Sequence, residues 1–306
     1  MKKSLLALLL IFAMMLVGCA PTIQRADENK QIYASFYPIY AISSLMLEDI
    51  SGIGLKCLVQ PQDDCLRLYE LSDWDASVLA YDADAIIIGG NGLESFEDAL
   101  YTFGDDGPAI ITSSHGIDLY GKSNDTAVIT DADHFEGLNP HAYMSVEGAS
   151  QMVSVIGGAL KKLYSDKSAE IEAGISKAET MLTGLETQIS EVRKLVSCNK
   201  VIIMHESLFY LAQDYGLEVA YVYKRESGTT LYGDGLHAAL DEISTAGSSV
   251  VMIEKQAPAE LTDALKEAGY TVVLIDTMSS FTADSSGKRY IDAQLANAKS
   301  IADAFR

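Results

Sequence analysis

Basic residues are scarce in this 306-residue chain: 22 Lys and Arg stand against 43 Asp and Glu, a formal net charge of −21. Phosphate binding draws on Lys and Arg, so a nucleic-acid partner is not expected. An acidic surface concentrates cations, but it also serves solubility, and charge alone does not choose between the two. Beyond the first residues no stretch reaches the roughly 20 apolar residues that a membrane-crossing helix needs. There is no short-period repeat and no low-complexity tract. Cysteine is sparse. Apart from Cys19 there are Cys57, Cys65 and Cys198. The first two are close enough to close a short loop under oxidising conditions or to remain thiols in an anaerobic host. Cys198, just ahead of an apolar strand, reads as a small buried hydrophobe.

Signatures of catalysis are also missing. His205 and Glu206 open like a zinc-peptidase helix, but the second histidine of that motif would fall on Phe209. Gly89, Gly90 and Gly92 follow a strand without dinucleotide spacing or a phosphate-loop lysine, and read as a tight turn at a cleft edge. No serine has a nucleophile-elbow setting. A non-enzymatic role is the expectation.

What is present begins at the N-terminus. Lys2 and Lys3 precede an apolar run from Leu5 to Val17, which ends in Leu16, Val17, Gly18 and Cys19. Charge, apolar core and small-residue cut site make a secretory signal, and the ending resembles that of bacterial lipoproteins, in which the cysteine is acylated. Residues 1–18 are therefore read as signal peptide and 19–31 as a polar tether, with Cys19 lipid-modified. Buried acyl chains, at about 0.8 kcal/mol per methylene, would hold the protein outside the bacterial membrane.

Roughly 275 mature residues suit two lobes of about 130. Apolar runs at Ile32–Phe36, Leu55–Val59, Ala85–Ile88 and Ala109–Thr112 alternate with helical patterns, and the arrangement returns at Val201–Met204, Glu218–Val222, Val250–Ile253 and Thr271–Ile275. Such alternation predicts α/β architecture: two lobes, each a parallel sheet sandwiched by helices. Between them Ser165–Val196 contains no proline and is rich in Ala, Glu, Lys, Leu and Ile, which predicts one rigid helix about 45 Å long. Gly174 and Gly184 each weaken it by about 1 kcal/mol relative to Ala, so packing must support it. The expected boundaries are 32–163 for the N-terminal lobe, 164–197 for the linking helix and 198–306 for the C-terminal lobe.

Three residues occupy comparable edges of these lobes. His141 follows Asn139 and Pro140 just before a helical pattern, where the proline fixes the turn. His205 directly follows a strand, and Asp276 ends another, at the edge where parallel sheets bind ligands. Two imidazoles and a carboxylate form a borderline donor set that suits zinc, manganese or ferrous iron. His115, His134 and His237 fall in polar contexts and read as solvated.

The stretches SFYPIYA, YELSDWD at 69–75, ADAIIIGGNGLESF, NPHAYMS, HESLFYLAQDYGL and LIDTMSS, in this order along the mature chain, resemble the metal-binding family of ABC-transporter substrate-binding lipoproteins. The resemblance implies Zn2+ or Mn2+ as transported ligand and His141, His205 and Asp276 as ligands. It also implies a monomer that serves an ABC permease and its ATPase. One departure stands out. The family's first histidine is replaced by Arg67, which cannot ligate a cation. Cys65, Glu70 or a water completes the shell, or Arg67 pairs with Asp276 or a bound anion, or the ligand is no longer a bare metal. The last option is the alternative reading, a receptor or adhesin-like lipoprotein that takes an anionic or organic ligand through Arg67.

Overall fold

The computed structural model describes residues 29–59, 69–121, 128–129, 137–223, 231, 233–279 and 288–305. Cys19, Cys65, Arg67, His134, the signal peptide and most of the tether lie outside the described residues. The chain begins with β1 (Lys30–Ala34), α1 (Tyr37–Leu47), β2 (Ile53–Cys57), α2 (Asp73–Asp82), β3 (Ala85–Ile88), α3 (Glu97–Leu100) and β4 (Ala109–Thr112). A short ribbon of β5 (Leu119–Tyr120) and β6 (Val128–Ile129) precedes α4 (Val146–Leu163) and α5 (Ser168–Val196). The second half comprises β7 (Lys200–Ile203), α6 (Leu208–Asp214), β8 (Glu218–Val222), α7 (Gly233–Ile243), β9 (Val250–Glu254), α8 (Ala259–Glu267), β10 (Thr271–Ile275) and α9 (Lys288–Ala304).

Both four-stranded sheets are parallel, with orders β2-β1-β3-β4 and β10-β9-β7-β8. The orders are the same topology read from opposite ends: the first strand of each half is flanked by its second and third, and the fourth lies outside the third. Residues 85–88 are wholly buried because helices cover both faces of the sheet, which is why this strand is a continuous apolar run. The expected architecture is thus present. Strand β1 starts at Lys30, paired with Ile53, so the last two residues of the expected tether belong to the sheet.

The linking helix α5 has 29 residues and is preceded by a 3-10 turn at Ser165–Lys167. Its buried residues Ile171, Ile175, Ala178, Leu182, Leu185 and Ile189 recur every three or four positions, a single stripe. That stripe packs on α4, α1 and α9. Helix α9, although last in sequence, returns to the first half: Tyr290 Oη donates toward the carbonyls of Tyr143 and Ser145 (2.9 and 3.0 Å), and Gln294 Nε2 donates to that of Met144 (2.9 Å).

Two cysteines differ in environment. Cys57 is half-buried, donates to the Val59 carbonyl (3.1 Å), and has its thiol pushed up to about 12 by burial. Cys198 is exposed, which corrects the expectation of a buried residue. It occupies the turn between α5 and β7 with φ of 66°, where its side chain points away from the sheet that starts two residues later.

Candidate metal site between the lobes

His141 and His205 come together. Their ring centroids lie 5.3 Å apart in an edge-to-face arrangement, and each residue is 4% exposed. His205 follows β7 and Met204, at the point where the order of the second sheet reverses, between β7's neighbours β8 and β9. Such a switch point leaves a crevice beyond the strand ends. His141 arrives from the other half, in a 3-10 turn (Ala142–Met144) that leads into α4, whose N-terminus is capped by Ser145 Oγ accepting from Gly148 N–H (2.8 Å).

Asn139 fixes the proton on His141. Its Nδ2 donates to the Glu206 carbonyl (2.9 Å), which leaves Oδ1 to accept from the His141 backbone N–H (3.1 Å) and to face ring Nδ1 at 2.9 Å. An amide oxygen only accepts, so Nδ1 carries the proton and the lone pair of the neutral ring sits on Nε2. His205 Nδ1 lies 2.7 Å from Ser207 Oγ and 3.1 Å from Ser207 N. The hydroxyl can accept the Nδ1 proton, which frees Nε2 of this ring as well. Oriented imidazoles of this kind are what metal sites use. Tyr210 Oη donates to the Asn139 carbonyl (2.8 Å) and accepts from Tyr120 N–H (3.0 Å), so the second half also holds the loop that carries His141.

Asp276 stands at the end of β10 and is 7% exposed. Asn297 clamps its backbone, accepting from its N–H (2.8 Å) and donating to its carbonyl (3.0 Å). Oδ1 accepts from Met278 N–H (2.9 Å), while Oδ2 meets Arg289 Nη2 at 2.7 Å and Lys255 Nζ at 3.5 Å. The partner here is therefore Arg289. Among the described residues no three His, Cys, Asp or Glu side chains are grouped so as to hold a metal ion. The two histidines meet, and the carboxylate is engaged by cations of its own half. Glu70 is exposed, as are His115 and His237. Sequence reasoning passed over Asn139, Ser207, Lys255 and Arg289. Only Asn139 carried a local signal, an amide two residues before a histidine across a proline.

At the edge of the first sheet the glycines form the expected tight turn, with Gly90 and Gly92 at φ of 79° and 75°. Glu94 anchors it, accepting from Ser35 Oγ (2.6 Å) and from the N–H groups of Gly89 and Gly90 (2.7 and 2.9 Å). Burial raises the Glu94 carboxyl above the usual range, and those three donors work against the rise.

A second acid bridges the halves. Asp214, at the end of α6, accepts from Val146 N–H in the first turn of α4 (2.8 Å). Burial pushes its carboxyl up to about 7. The Val146 N–H and Arg193 oppose the rise, while Glu186 and Glu147 add to it. Because the folded value lies above the ordinary 3.8, the stability that this acid contributes is fully present below about pH 4 and is lost as pH rises through about 7. Asp214→Asn, which keeps an acceptor without the charge, is expected to flatten the fall in melting temperature between pH 5 and 8 by a few degrees. Parallel melting curves of both proteins across that range would show that Asp214 ionises without cost.

Residues 32–304 match the family model described as zinc-uptake complex component A, periplasmic. The zinc-binding lipoprotein AdcA of Streptococcus pneumoniae (serotype 4) is 25% identical over 315 residues, covering 98% of this chain and 60% of AdcA. The chain thus spans about 60% of the length of the curated relatives it matches. Among solved structures, the SBP FpvC of Pseudomonas aeruginosa in complex with Ni2+ superposes with a TM-score of 0.74 at 18% identity, covering 90% of this chain and 97% of FpvC. A mutant of the laminin-binding adhesin Lmb of Streptococcus agalactiae gives 0.73 at 16% identity, over 91% of this chain and 100% of that one. ZnuA gives 0.69 at 21%, again over 91% and 100%. At such identities these structures speak for the fold. The family model accounts for the chain from β1 to the last turn of α9, and the chain belongs to the zinc-uptake complex component A family.

Proposed function

We propose that this protein is an extracytoplasmic substrate-binding lipoprotein that captures a divalent transition metal, zinc or manganese, and passes it to the permease and ATPase of an ABC importer. His141 and His205 supply Nε2 donors, and Asp276 supplies an oxygen when the lobes close on the ion. The observation that carries this reading is the pair of buried imidazoles 5.3 Å apart, with His141 held by Asn139 in the tautomer whose Nε2 is open. Capture involves no bond making in the cargo, so the protein needs only an oriented donor set and a way to close around it. Membership in the zinc-uptake family supports the cargo class, and the Leu16–Cys19 ending supports an anchor at Cys19.

The test is metal analysis of the purified mature chain, followed by titration with zinc and with manganese after chelation. One ion per chain is expected. At a hundredfold excess of metal over its Kd the added stability is about 2.7 kcal/mol, a rise of roughly 5 to 10 °C in melting temperature for a chain of this size. A protein that neither retains metal nor gains stability from either ion would remove this reading. An organic anion retained through chelation would put the receptor reading through Arg67 in its place.

A further inference from the structure

Asp276 is the donor whose surroundings fit a cation site least. Its carboxylate is one negative charge facing two positive ones, Arg289 at 2.7 Å and Lys255 at 3.5 Å. Lys255 is half exposed and can swing into solvent, but Asp276 and Arg289 are 7% and 8% exposed. Arg289 therefore stays when an ion arrives, because withdrawing from the carboxylate would leave a buried guanidinium without its counter-charge. The carboxylate cannot turn away either. Its Oδ1 is held by Met278 N–H, Met278 itself sits at φ of 58°, and Asn297 clamps the backbone on both sides. A carboxylate has about four acceptor positions, so a lone pair remains for a metal, but the charge behind it is offset. The imidazoles of His141 and His205 carry no such handicap: their Nδ1 partners are Asn139 Oδ1 and Ser207 Oγ, which orient the rings.

Ions differ in what they gain from these donors. Manganese favours oxygen donors and gains little from imidazole, whereas zinc gains strongly from imidazole nitrogen and stands above manganese in intrinsic affinity for such sites. Weakening the carboxylate while sparing the imidazoles penalises manganese most. We propose that Arg289 is a specificity-determining residue of this site: by offsetting the charge of Asp276 it makes the protein select zinc-like ions over manganese. The inference rests on the reading of His141, His205 and Asp276 as the ligand set, and it chooses between the two cargoes which that reading leaves open.

Zinc and manganese affinities of the full mature chain, of Arg289→Gln, of Arg289→Lys and of Lys255→Gln, each checked for folding by its melting curve, provide the test. Arg289→Gln is expected to gain about tenfold in manganese affinity and no more than about threefold in zinc affinity, so that the zinc preference narrows. Arg289→Lys, which restores the charge, keeps the wild-type preference. Lys255→Gln is an exposed change that does not threaten the fold, and it narrows the preference by about twofold. A zinc-to-manganese ratio that stays fixed in both Gln variants, or that widens, would overturn the proposal even if zinc binds well. Should Asp276→Asn leave both affinities untouched in a chain that loses zinc on changing His141 or His205, the histidine reading stands, and Asp276 and this inference fall together.

Discussion

Changing His141 or His205 to alanine is expected to lower zinc affinity by at least about a hundredfold, and changing both to abolish stoichiometric binding. Each imidazole is a full ligand of a small donor set, and a structural partner of a ligand is already worth roughly 10- to 100-fold when removed. Asn139→Ala tests that lower tier. It leaves both rings in place but takes away the acceptor that holds the Nδ1 proton of His141 and the donor that ties the loop to Glu206. Its expected loss is therefore smaller, about tenfold. Competition against a chromophoric chelator at fixed pH measures all four proteins. Because the histidines are buried, melting curves without metal must accompany the titrations, and losses of order 1 kcal/mol in the apo-proteins are tolerable. Single alanine variants that keep wild-type affinity would refute the assignment, and a ranking in which Asn139→Ala costs more than either histidine would shift the site toward the Glu206 carbonyl and its neighbours.

Much of the fold was legible because parallel strands buried on both faces announce themselves as unbroken apolar runs. Strands β3, β4, β8 and β10 begin and end on the residues that the runs at 85–88, 109–112, 218–222 and 271–275 marked out. The linking helix was legible for the complementary reason, a long proline-free stretch with helical spacing. What could not be read was partnership. Periodicity gives the face that a residue occupies, not the residue opposite it. Asp276 and Arg289 are thirteen positions apart across a loop, and nothing in either segment marks them as a pair. The return of α9 to the first half was hidden likewise, since Tyr290 and Gln294 meet carbonyls about 150 residues away. Cys198 misled because an apolar strand follows it, whereas the left-handed turn it occupies is set by the junction between α5 and β7. For the site, sequence position was enough to bring His141 and His205 to facing edges, while the hydrogen bonds that orient them depend on the contact between the two halves.

The same limit separates two glycines that the sequence could only treat alike. Gly174 and Gly184 both lie inside α5, and helix propensity alone assigns each Gly→Ala change a gain of about 1 kcal/mol. Gly184 is exposed, and a Cβ there meets nothing within 4 Å, so propensity is the whole effect. Gly184→Ala is expected to stabilise the protein by about 1 kcal/mol, or roughly 2 to 4 °C in melting temperature. Gly174 is buried where α5 crosses α1, and a Cβ there would run into the backbone carbonyl of Met46. A side chain could rotate aside, but a carbonyl inside α1 cannot, so the two helices must move apart and loosen the packing of Ile171 and Ile175 on either side of the crossing. Overpacking of this kind costs about 1 to 3 kcal/mol and occasionally more, which outweighs the propensity gain. Gly174→Ala is therefore expected to lower the melting temperature by several degrees while its neighbour ten residues on raises it. Thermal melts of both variants beside the wild type decide the matter. Shifts of the same sign would mean that α5 does not cross α1 as closely as the Met46 contact requires.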